Sequence, residues 1–205
     1  MNSRAFRRWI SFTLLTVALA PAPAAALTDG WVLMWGSGGH TPELFDLPVG
    51  VDTDAAGNVY VVDRNSDRVQ KFTNDGAFIK EWNLAATGAP NAIPYAVEVD
   101  GGFVYVADGA EDRIVKLTTS GAFVTQWGSH GSGDGQFDAP IGLAVDADHN
   151  VYVSDLENRR IEKFTSTGGF LTKWGSYGSG DGQMYTPRGI AIDAAGYVHV
   201  VGRYR

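Results

Sequence analysis

The chain has no cysteine among its 205 residues. Disulfides are therefore excluded as a brace, and so is a lipid anchor built on a cysteine at a cleavage site. Basic residues are scarce as well: 16 Lys and Arg stand against 23 Asp and Glu, a net charge of −7. Such a surface does not attract nucleic acid or anionic lipid without a local basic patch. Long hydrophobic runs are missing. The one extended apolar stretch, Ile10 to Ala20, is too short to cross a bilayer. There is no Gly-x-Ser-x-Gly elbow and no glycine-rich phosphate loop opening a helix, so neither serine-hydrolase nor phosphoryl-transfer chemistry finds its motif.

What is present begins with a leader. Arg4, Arg7 and Arg8 precede the apolar stretch, and Ala24-Ala25-Ala26 offers small residues for cleavage. Residues 1–26 read as a secretory signal peptide. The Arg7-Arg8 pair is preceded by Phe6, where a twin-arginine signal usually has Ser or Thr. Residues 27–205 then carry a charge of −10 (13 basic, 23 acidic). The expectation is a secreted or periplasmic protein with no membrane anchor.

The rest repeats. Trp35, Trp82, Trp127 and Trp174 mark one phase of a unit, and Pro48, Pro94, Pro140 and Pro187 another, with proline spacings of 46, 46 and 47 residues. A fixed period of this size means stacked units that cannot bury an apolar face alone. Within one unit, Ile141–Asp146 is a β-branched run and Ala147–Asn150 a turn. Val151-Tyr-Val and Ile161–Phe164 alternate, and Phe170–Trp174 is a fourth strand. Period-two alternation broken by polar turns predicts four short antiparallel strands, one blade of a β-propeller. Predicted blades fall at about 48–82, 94–127 and 140–174. His149 stands where Gly57 closes the equivalent turn; histidine tolerates positive φ better than most residues, so a structural use is expected.

The recurring string Pro-x-Gly, Asp, Gly-Asn-Val-Tyr-Val-x-Asp, Arg-Ile-x-Lys-Phe, Gly-x-Phe, Trp-Gly-Ser and Gly-Ser-Gly-Asp-Gly-Gln resembles the NHL repeat. No Trp-Asp pair ends a strand, unlike WD40, and the double glycines fall at three different phases, unlike kelch. The resemblance implies an all-β propeller of four-stranded antiparallel blades and a six-bladed parent. Six such units need roughly 280 residues, whereas residues 27–205 number 179. After the three full blades only 187–205 remain, joined by 31–35 as a fourth strand, so about four blades in an incomplete ring are expected. An open ring leaves sheet edges that invite self-association.

The loops from strand two to three and from blade to blade share one face. That face, with the mouth of the central channel, is the expected binding surface, and Arg64, Tyr95, His130, Tyr177 and Arg188 are its candidate residues. Asp63, Asp108 and Asp155, each followed five residues later by Arg68, Arg113 and Arg160, read as a structural clasp. Lys71, Lys116 and Lys163 read as solvated edge lysines. The Gly131–Gln136 and Gly178–Gln183 loops carry one Asp each, too few oxygens for calcium. His40, His130, His149 and His199 do not share a phase, so the resemblance to amidating lyases, with zinc on channel histidines, finds no matching ligand set. No catalytic residue, metal or cofactor is therefore expected. The favoured function is an exported binding or scaffold module for a protein, peptide or glycan; the alternative is a metal-dependent propeller enzyme of the amidating-lyase or lactonase kind.

Overall fold

The computed structural model describes residues 35–88 and 90–203. The leader, 1–26, and the part of the expected strand at 31–34 lie outside the described residues. Trp35, the last residue of that expected strand, is described. Its indole packs on Phe72 and Phe45, at 4.6 and 6.3 Å between ring centroids.

A short parallel pair, β1 (Ser37–Gly38) and β2 (Leu44–Phe45), comes first. Three antiparallel meanders follow. The first is β3 (Pro48–Thr53), β4 (Val59–Asp63), β5 (Arg68–Phe72) and β6 (Phe78–Asn83). The second is β7 (Pro94–Asp100), β8 (Phe103–Asp108), β9 (Arg113–Thr118) and β10 (Phe123–Trp127). The third is β11 (Pro140–Val145), β12 (Val151–Asp155), β13 (Arg160–Phe164) and β14 (Phe170–Trp174). A fourth unit contributes β15 (Thr186–Ile192) and β16 (Val198–Arg203). The inner strands pack in series, β3 on β7, β7 on β11 and β11 on β15, and the ring is not closed.

The core lies between blades rather than within them. Tyr60, Val62, Val69 and Trp82 of the first blade pack on Val97, Val104, Val106 and Val115 of the second. Tyr105, Ala107 and Ile114 of the second pack on Leu143, Val151, Val153 and Phe164 of the third, with Phe137 from the linker. Alternating valines present one face to each neighbour, which is why every blade needs the next.

Trp35, Trp82 and Trp127 each rest on a glycine of the following blade, Gly76, Gly121 and Gly168. A Cβ on Gly121 would lie 1.4 Å from Trp82 Nε1, and Gly121 also has φ +88°, so close approach and turn conformation both require glycine there. Trp127 covers Gly168 in the same way. The fourth unit has no third-to-fourth-strand hairpin among the described residues, and Trp174 is 38% exposed.

The Asp–Arg spacing is a clasp. Asp63, Asp108 and Asp155 are fully buried, and each accepts from its arginine at 2.9–3.1 Å. The other carboxylate oxygen accepts a backbone N–H from the linker that enters the blade: Asp46 at 2.6 Å, Ile93 at 2.9 Å and Asp138 at 2.8 Å. The guanidinium groups reach back to linker carbonyls, as Arg160 does to Gly133 and Gln136. One buried pair thus fastens each blade to its loop, satisfying backbone groups that water cannot reach.

The strand-three lysines correct an expectation. They are not solvated edge residues. Lys71 and Lys163 lie over the rings of Tyr60 and Tyr152 and pair with Asp54 and Asp146 at 3.3 and 3.0 Å. Lys116 is buried over Phe103 and donates to Ser166 O at 2.7 Å. His149 has φ +63° and its Nδ1 lies 2.6 Å from Asp100 of the preceding blade, a structural use. His199 stands in place of the strand-two tyrosines and bonds Asp193 at 3.0 Å, as Tyr60 bonds Asp54 and Tyr152 bonds Asp146.

Candidate functional site: the inner-strand groove

Each inner strand carries a proline at its first position, or in β15 at its second, and the ladder slips directly after it: between Pro48 and Gly50, Pro94 and Ala96, Pro140 and Gly142, Pro187 and Gly189. The residue in the slip is Val49, Tyr95, Ile141 or Arg188. A bulge bends the strand and re-aims the extra side chain, and proline costs no ladder bond at a strand's first position. The four slipped residues all line one groove of about 510 Å³, with the smaller residues after them and Val51, Val97, Leu143 and Ile190. The scaffold therefore holds one variable position per unit at the same height of the groove.

The mouth is cationic. Arg64, the first residue after β4, lies with its guanidinium carbon 4.5 Å from the centre of the Tyr95 ring and donates through Nη2 to Tyr95 Oη at 2.8 Å. Its Nε is buried without a hydrogen-bond partner. On its other side Tyr95 covers Gly109, where a Cβ would lie 2.8 Å from the ring. Arg188, across the groove, is exposed and makes no side-chain hydrogen bond or ion pair among the described residues. Two guanidinium groups thus share one concavity, and one is held rigid by stacking.

Further along the inner strands, acids cap the backbone. Asp52 accepts Val99 N–H at 2.6 Å, and Glu98 accepts the N–H of Val145. Each reaches the next inner strand, whose channel-side edge has no ladder partner. Burial, and then the nearby Asp52 charge, push the Glu98 carboxyl up to about 7, against the Val145 bond.

Three of the five residues singled out from the sequence, Arg64, Tyr95 and Arg188, come together here. His130 and Tyr177 do not. They sit in two separate blade-to-blade loops, each in an isolated bridge, with Phe137 and Met184 respectively. Val49, Ile141 and Glu98 were missed. The signal for the first two was available as the x of the Pro-x-Gly phase; for Glu98 it was weaker, since Asp52 is an acid at the same position of the first unit but Ala144 and Ala191 occupy it in later units. The Gly-Ser-Gly-Asp-Gly-Gln loops close on themselves, with Gln136 and Gln183 accepting from Gly133 and Gly180 at 3.0 Å, while Asp134 turns away to Lys173.

The family profile described as NHL repeat matches residues 45–72. Human NHL repeat-containing protein 3 is 36% identical over 64 residues, 30% of this chain and 18% of that protein. The mouse protein of the same name is 33% identical over 73 residues, 34% of this chain and 21% of its own length. The matches thus span about a fifth of those relatives. Among solved structures, a streptogramin B lyase superposes with a TM-score of 0.56 at 18% identity, covering 75% of this chain and 53% of that one. Virginiamycin B lyase from Staphylococcus aureus gives 0.59 at 16%, covering 75% and 48%. Hydrazine synthase from Kuenenia stuttgartiensis gives 0.58 at 17%, covering 78% and 42%. At these identities the likeness is one of fold.

Proposed function

From the premise that the chain is an NHL-repeat protein folded as a β-propeller, we propose that it is an exported binding module whose groove holds an acidic peptide segment of a partner protein. Export rests on the leader-like residues 1–26. The observation that carries the binding reading is the set Val49, Tyr95, Ile141 and Arg188, one slipped residue per unit at a common height, with Arg64 stacked beside them. Apolar and aromatic positions suit peptide side chains, and the two guanidinium groups suit carboxylates. The test is an array of Asp- and Glu-rich peptides, uncharged peptides and uronic-acid glycans, read at low and high salt. Acidic peptides should bind, weaken with salt, and lose about tenfold or more in Arg188→Ala and Arg64→Ala. Equal binding of uncharged peptides, or affinity unmoved in both variants, would overturn the reading; binding of the glycans alone would move the ligand class.

One observation favours a second reading. Glu98 lies in the groove with its carboxyl raised to about 7, a value suited to general acid–base work near neutral pH. An enzyme of this kind would lose turnover in Glu98→Gln while still binding its ligand; a binding module would keep its ligand affinity in that variant and show no turnover in either form.

A further inference from the structure

The two regular blade-to-blade junctions are built on the same three positions and filled with opposite chemistry. In the junction from the third blade to the fourth unit these are Arg159, Tyr177 and Tyr185. The Arg159 guanidinium carbon is 5.4 Å from the Tyr177 ring centre, and Tyr177 meets Tyr185 edge to face at 5.1 Å. In the junction from the second blade to the third, the same positions hold Asp112, His130 and Asp138. The equivalence is structural. Asp112 and Arg159 each precede the clasp arginine and have φ +49° and +55°; His130 and Tyr177 form the matching isolated bridges; Asp138 and Tyr185 each follow the bridged partner.

We propose that Asp112, His130 and Asp138 bind a divalent transition-metal ion that fastens this junction, where Arg159, Tyr177 and Tyr185 fasten the next. One ligand atom from each of the three lies within 4.8 Å of the others. His130 Nδ1 is already 2.9 Å from Asp112 Oδ2. Ligands about 2.1 Å from an ion stand about 3.4 Å apart in a tetrahedral sphere, so that pair needs to open by only about half an ångström. Asp112 is fixed, since its Oδ1 accepts Ala139 N–H at 2.8 Å. The Asp138 backbone is pinned on both sides, donating to Asp155 at 2.8 Å and accepting from Glu157 N–H at 3.0 Å. Its carboxylate makes no hydrogen bond or ion pair among the described residues. His130 is 73% exposed at its side chain and can turn to share the ion, with water completing the sphere.

The donors choose the ion. One imidazole and two carboxylates are too few oxygens for calcium, which takes 6–8, and suit zinc and its first-row neighbours. The other histidines do not offer this set. His149 and His199 each pair with a single acid, Asp100 and Asp193, and His40 with Asp46 at 3.5 Å. A histidine flanked by two aspartates from different loops leaves no trace in the spacing of the histidines, which share no phase.

The experiment is zinc titration of the full chain by calorimetry, with a thermal melt and the histidine ring resonances followed alongside. One zinc should bind per chain, raise the melting temperature and shift the His130 ring while leaving the His149 ring in place. His130→Ala and Asp138→Asn should each weaken zinc at least tenfold with unchanged metal-free melting, and His149→Ala should leave the affinity as it was. No saturable binding, equal affinity in His130→Ala and Asp138→Asn, or an equal loss in His149→Ala would overturn the proposal. Should His130→Ala fail to fold, Asp138→Asn and the His130 resonance decide it.

Discussion

The second blade and the fourth unit share one repeat pattern but not one environment. In the second blade, strand β8 carries Val104, Val106 and Ala107 with no exposure at all, because a blade covers each face. In the fourth unit, strand β16 carries Val201 at 67% exposure, and the neighbouring Tyr197 is at 70%. The strands pair equally well in both places. The difference is the neighbour. Local sequence is enough for a hairpin, whereas burial, and with it most of the stabilisation, is contributed by the adjoining repeat.

The sharpest way to break that comparison is through the tryptophans. Trp82 is 8% exposed and seated on Gly121, while Trp174 has no such seat among the described residues. Trp82→Ala should cost about 3–5 kcal/mol, the range for truncating a buried large aromatic. Trp174→Ala should cost about 1 kcal/mol, mainly its edge contact with Tyr152. Denaturant melts measure both. Equal losses would mean that position in the array does not govern what a repeat residue contributes.

The same contrast explains what could be read in advance. The period, the strands and the Asp–Arg clasp recur, so Asp63, Asp108 and Asp155 declared their role by returning at one phase. The groove did not, because its chemistry sits where repeats differ. Tyr95 and Arg188 were legible as departures from Val49 and Ile141, but the slip that turns all four inward is a backbone event. Asp112 and Asp138 belong to different loops and meet His130 only through the inter-blade bridge, a tertiary fact with no counterpart in sequence spacing.

A smaller loss tests the clasp. Asp108→Asn keeps the shape but removes the charge opposite buried Arg113, and should cost about 2–4 kcal/mol, somewhat below or within the usual figure for breaking a buried pair because the amide still bonds. The fourth unit has Gly202 at this position, and a Cβ there would lie 2.3 Å from Thr186 O, so the clasp cannot be restored by Gly202→Asp. A destabilised Asp108→Asn whose folded fraction binds ligand normally fits a structural clasp; lost binding with an unchanged melt would make the acid part of the site.

The smallest effect lies in pH and separates the turn acids. Burial alone would raise Asp146; bonds from Asn150, Lys163 and Tyr152 outweigh it and hold the carboxyl down at about 2. The same set, with Asn58 first, holds Asp54 at about 2. Unfolded aspartate titrates near 3.9. A depressed carboxyl contributes stability that is complete above the unfolded value and is lost as pH falls through the folded one, so this contribution should fade between about pH 4 and 2. Asp193 is lowered too, chiefly by its bond from His199, but that pair lies in solvent and is screened. Asp146→Asn should therefore lower the melting temperature at pH 7 and shrink the difference from the parent as pH falls toward 2. Asp193→Asn should move the melt less at every pH. A larger shift from Asp193→Asn than from Asp146→Asn would show that the enclosing blades add nothing to this turn, and that the contrast between the covered and the uncovered repeats stops at the apolar core.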